Sequence, residues 1–154
     1  MPAFVESHVR TVRVNRPQVA RLVSAILSTV NEPSSDISLT FVGDRRMRRL
    51  NRQYRRKDRT TDVLAFAMRE AETPPASHRV SRSLGDVVIA VPTAVRQARR
   101  GNRPFEEEVA CLLIHGILHL CGYDHERSKS EALRMSRRER MVLKKLGKIP
   151  SLIR

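Results

Sequence analysis

The sequence contains no tryptophan, and aromatic residues make up only 4% of it. Base stacking on an aromatic platform is therefore not indicated. Cysteine is almost as scarce. Cys111 and Cys121 are the only two, too few for a disulfide framework, so a reducing compartment such as the cytoplasm is the expectation. No apolar run approaches the 18 or so residues that would span a bilayer, and residues 1–10 hold no signal-type apolar segment. The shortage with the largest consequence is of acids. Sixteen Asp and Glu face thirty Lys and Arg, for a net charge of +14. Such a balance favours polyanionic partners.

The positive charge is clustered. Between Arg45 and Arg59, nine of fifteen residues are Arg or Lys and Asp58 is the only acid. A second basic stretch runs from Arg127 to Lys148. Phosphate-backbone contact with nucleic acid follows from that clustering, without base readout. The remaining composition, 40% hydrophobic and 30% charged, is that of a folded protein, and 154 residues suffice for one domain, taken as 1–154.

The pattern along the chain predicts an α+β fold. Residues 3–14 read as a weak strand. Pro17 opens a helix whose apolar face runs from Val19 to Val30. Alternation at Ile37, Leu39 and Phe41 predicts a strand over 36–42. Asp44 is placed to cap a short helix carrying Met47, Leu50 and Tyr54 inward. Strands follow at 62–68 and 84–91, the second apolar enough to be central. Between them, 69–83 reads as a loop around Pro74-Pro75. Pro92 opens a helix that stops at Gly101, and Pro104 opens another with three Glu in its first turn. Ser128 and Glu131 form a capping box for a last helix, which Gly147 ends. The sum is a small mixed sheet of about four strands covered by about five helices, with one zincin-like metal helix.

That helix carries His115 and His119, spaced i, i+4 on one face. Gly122 can end it and turn the chain so that His125 joins them. Three imidazoles with a fourth position open is the ligand set of a catalytic zinc site, so one Zn²⁺ per chain is expected. Cys111 lies eight residues before His119, roughly 12 Å along a helix at 1.5 Å per residue, too far to share an ion with it. It is read as a small core residue. The position after the first histidine, Glu in H-E-x-x-H peptidases, is Gly116, which removes the peptidase base. A Zn²⁺ held by neutral imidazoles suits phosphodiester cleavage. Arg55 or a neighbour is a candidate to hold the phosphate. Arg48, Arg52, Arg56 and Lys57 are candidates for RNA contact. Asp124 and Glu126, flanking His125, are candidates either to orient a ligand or to act as general base.

Three segments resemble the YbeY-type endoribonucleases, the rRNA maturation factors. They are Leu50-Asn51 through Tyr54-Arg55, Lys57-Asp58 and Thr61-Asp62-Val63-Leu64; Leu84-Gly85-Asp86-Val87-Val88-Ile89; and His115-Gly116 through His119 to Gly122-Tyr123-Asp124-His125. The resemblance covers residues 36–146. It implies a zinc site at His115, His119 and His125, a functional arginine at Arg55, and a cytoplasmic endoribonuclease acting on single-stranded and ribosomal RNA. Maturation of the 16S rRNA 3′ end, ribosome quality control and contact with the small ribosomal subunit and its proteins belong to the same implication. Where the family usually has Ser-Phe-Pro, this chain has Ala65-Phe66-Ala67, and the segment after His125 is basic where relatives are often acidic. Two other readings are a non-catalytic RNA-binding assembly factor with a structural zinc, and a metallopeptidase, which Gly116 and the charge disfavour.

Overall fold

The computed structural model describes residues 3–68 and 83–154. The loop expected at 69–83 lies outside them except for Ser83. The elements are β1 (Ala3–Ser7), α1 (Arg16–Thr29), β2 (Asp36–Val42), α2 (Asp44–Arg55), β3 (Val63–Ala67), β4 (Ser83–Ala90), α3 (Val91–Arg100), α4 (Phe105–Leu120) and α5 (Lys129–Leu146). The strands form one mixed sheet in the order β1-β2-β4-β3. β1, β2 and β4 are parallel, and β3 joins β4 antiparallel at the edge. Parallel neighbours need crossover segments, and α1 supplies the one between β1 and β2. As expected, β4 is central, with Leu84, Val87, Ile89 and Ala90 fully buried.

The two faces of the sheet are unequal. On one, Ile37, Leu39, Val87 and Ile89 join the apolar faces of α1, α4 and α5 in the main core. On the other, Val42, Leu64, Val88 and Ala90 meet Met47 of α2 in a smaller cluster. α4 contacts β3, β4, α1, α3 and α5, so a helix apolar on nearly every side is buried on nearly every side.

Three expectations are corrected. The first strand ends at Ser7, and of residues 8–14 only Val14 pairs, in an isolated bridge with Ile153. Valine every two to four residues gave a strand-like composition there without a partner strand to pair with. Asp44 does not cap α2, because Gly43 is the cap and Asp44 is the first helical residue. Its carboxylate instead accepts from Thr93 Oγ1 at 2.8 Å and Arg96 Nη2 at 2.6 Å, tying α2 to α3. Tyr54 does not point inward but is 59% exposed. Met47 and Asn51 are the residues that α2 buries.

Candidate metal centre

α4 ends as its sequence dictates. The Tyr123 N–H donates to the Leu118 carbonyl and the Gly122 N–H to that of His119, both at 3.0 Å. Gly122 takes φ +100°, a left-handed value that favours glycine. The chain therefore reverses within two residues and brings His125 back to the helix end. His115, His119 and His125 each offer a ring nitrogen, and these atoms all lie within 4.8 Å of one another. His119 Nε2 and His125 Nδ1 are 3.1 Å apart. Two nitrogens about 2.0–2.1 Å from one tetrahedral ion would stand roughly 3.3 Å apart, so the pair fits a shared ion with a small adjustment. Burial, followed by repulsion from His115 and His125, holds the His119 imidazole below its ordinary pKa. That keeps it neutral, the form that binds metal.

His115 has a partner that the sequence reading missed. Glu139, on α5, lies 3.2 Å from His115 Nδ1. In the tautomer with the proton on Nδ1, that nitrogen donates to the carboxylate and Nε2 keeps its lone pair for a ligand bond. Glu139 is twenty-four residues away in the chain, and no local spacing could have linked the two. The two acids that flank His125 are placed differently. Asp124 accepts from the Glu126 N–H at 2.8 Å, which, with Arg127 nearby, holds its pKa below the usual range. Glu126 reaches across to α2, where Arg55 Nη2 donates to its Oε1 at 3.1 Å, while His125 Nε2 is 3.9 Å from the same oxygen.

Those groups surround one open cavity of about 610 Å³. Arg55, Glu126 and the three histidines line it together with Tyr54, Phe66 and Asp62. The Asp62 carboxylate accepts from its neighbour Val63 N–H at 2.8 Å and from Gln97 Nε2 at 3.3 Å. Of the other basic candidates, Arg52, Arg56 and Lys57 are exposed on α2 and its C-terminal turn, outside the cavity wall. Arg48 is exposed there too, but its Nε donates to Asp58 at 2.9 Å. Cys111, expected in the core, is half-buried. Its Sγ accepts from Arg103 Nη1 at 3.5 Å, and burial pushes its thiol pKa up.

Gly116 explains the missing peptidase glutamate in packing terms. It faces the sheet, where an added Cβ would sit 3.0 Å from Val87 Cγ1. To admit even a Cβ here, Val87 would have to give by a few tenths of an ångström.

The fold and the site together define an α+β protein with a three-histidine, metal-competent cleft beside a basic helix. A family model described as "Endoribonuclease YbeY" matches residues 4–147. A relative from Geobacter metallireducens with that name is 40% identical over 143 residues, covering 92% of this chain and 93% of its own. One from Persephonella marina, also so named, is 46% identical over 119 residues, covering 77% and 75%. A solution structure of a Thermotoga maritima protein shares the fold, with a TM-score of 0.64 at 24% identity, covering 94% of this chain and 88% of the other. The chain belongs to the YbeY endoribonuclease family. Among the described residues, no helix is long and apolar enough to cross a membrane.

Proposed function

We propose that the protein is a zinc-dependent endoribonuclease that cuts single-stranded RNA, with His115, His119 and His125 as the zinc ligands and Arg55 as the phosphate-holding catalytic residue. The observation that carries this reading is the convergence of three ring nitrogens in a cleft that Arg55 also lines, its guanidinium paired with Glu126 beside His125. A bound Zn²⁺ would polarise a phosphoryl oxygen and acidify water. Glu139 fixes the tautomer and orientation of His115. Arg55 grips the scissile phosphate and faces the negative charge that builds on its non-bridging oxygens. Substrate phosphate displaces Glu126 from Arg55, and the freed carboxylate is the candidate proton acceptor, since one Asp124 oxygen is held by the Glu126 N–H. The outer cations Arg48, Arg52, Arg56 and Lys57 draw in the RNA backbone.

Ribosomal RNA, including the 3′ end of 16S rRNA, is the substrate this reading favours. The cytoplasm and the small ribosomal subunit are its setting, and the whole chain acts as one catalytic domain. The peptidase alternative is weakened by the packing at Gly116, and a purely structural zinc leaves Arg55 without a task. The test is metal analysis of His115→Ala, His119→Ala and His125→Ala beside cleavage of a defined RNA. Each should lose most of its zinc and its activity while remaining folded. Full zinc occupancy in the His125 variant would refute the three-histidine site.

A further inference from the structure

Tyr54 lines the cleft but has no part in the chemistry above. The chain has only two tyrosines and four phenylalanines, yet Tyr54, Phe66 and Tyr123 all border this one cavity. A scarce residue type is concentrated where the substrate would lie. Tyr54 sits on the last turn of α2, next to Arg55, and its side chain stands out from the helix, 59% exposed. Its ring meets that of Phe66 with centroids 5.1 Å apart and planes inclined by 64°. An edge contact of this kind leaves at least one face of the tyrosine uncovered by its partner. Phe66 is itself packed on the cluster of Val42, Met47, Leu64 and Val88 beneath α2, so the support under Tyr54 is part of the fold.

Building on the endoribonuclease reading, we propose that Tyr54, backed by Phe66, is a stacking subsite for one unpaired nucleobase beside the phosphate that Arg55 holds. The cations around the cleft attract the backbone of any nucleic acid. A base inside a duplex has both faces covered by its neighbours and cannot reach the ring. An unpaired base can, and every base offers a π face, so the subsite selects single strands without selecting sequence. This revises the expectation from composition: one supported ring in the right place serves where a row of rings is lacking.

The absence of tryptophan makes a direct test available, because Tyr54→Trp would introduce the sole indole. Its fluorescence should be quenched on titration with a short single-stranded oligoadenylate. It should change little with an abasic strand of equal phosphate count, or with a duplex. In parallel, Tyr54→Leu should weaken binding of the intact strand by about 5- to 150-fold, the range seen on removing one stacking aromatic. Affinity for the abasic strand and the salt dependence should stay as in the unmodified protein, and Tyr54→Phe should bind as it does. Equal quenching by intact and abasic strands, or an unchanged intact-to-abasic affinity ratio in Tyr54→Leu, would overturn the proposal. These are binding measurements. A protein with base-dependent binding at Tyr54 but no cleavage would sink the nuclease reading and leave the subsite standing. One that cleaves without base dependence would do the reverse.

Discussion

Arg55 differs from its basic neighbours in one structural respect: it lines the cavity that the histidines line, while Arg52, Arg56 and Lys57 do not. Composition could not separate it from eight other cations in the same run, and the family resemblance did. Arg55→Ala should lower single-turnover cleavage by about 10²–10³-fold, as for the loss of one charge-stabilising donor. RNA affinity should fall only modestly and zinc content should hold. Arg55→Lys should not restore the rate, because an ammonium cannot make the planar two-point contact. A wild-type rate in Arg55→Ala would remove it from the chemistry. His119 predicts a pH dependence. Its folded pKa lies below the ordinary value of about 6.5, so below that pH the unfolded chain binds the proton more readily. The stability of the metal-free protein should therefore fall as pH drops through about 6.5 towards the lower folded value. Denaturant melts across that window should show a shallower fall in His119→Gln.

At the scale of elements, α4 and α2 are held in opposite ways. α4 is wedged against the sheet so tightly that position 116 admits no Cβ without moving Val87, which is itself fully buried. Gly116→Ala gains about 1 kcal/mol of helix propensity but faces about 1–3 kcal/mol of overpacking, so thermal denaturation should show a net loss. Gly116→Glu, which recreates the peptidase pattern, should unseat the helix and confer no peptidase activity. α2 is held lightly. Asn51 is 1% exposed, and its Nδ2 donates to the Arg59 carbonyl at 2.8 Å, pinning the turn after Arg55. Asn51→Ala should cost about 1–3 kcal/mol in chemical denaturation. The contrast also marks what could be read beforehand. Helix ends set by local chemistry were legible: Ser128 accepts from the Glu131 N–H at 3.1 Å, and Gly122 turns the chain to His125. Features set by partners distant in sequence were not. Asp44 looked like a cap because nothing local revealed Thr93 and Arg96. Tyr54 fell at an apolar spacing, but its only ring contact among the described residues is with Phe66 of the edge strand β3, and it is left exposed.

For the whole molecule, much of the charge of +14 is carried by exposed cations on α2 and α5, while the cleft is of mixed sign, lined by Arg55 and Arg127 beside Asp62, Asp124 and Glu126. The basic run was visible in the sequence, and so was the histidine cluster. That the two meet was not, because it depends on the sheet carrying α2 on one face and α4 on the other, with the edge strand β3 between them. Binding of single strands should weaken with salt at a slope of about −0.7 per phosphate neutralised. Replacing Arg48, Arg52 and Arg56 by Gln should flatten that slope equally for unrelated sequences, and Arg48 should contribute least, being paired with Asp58. An unchanged slope would move the RNA surface to α5. The central claim, that three histidines and Arg55 form a metal-dependent nuclease, is tested most directly by single-turnover cleavage of a defined single-stranded RNA. The protein would be stripped by chelator and then titrated with Zn²⁺, beside a His119→Ala control. By that claim the stripped protein should not cleave, recovery should be complete at one Zn²⁺ per chain, and the control should not recover. Cleavage at an undiminished rate by protein shown to be metal-free would contradict it.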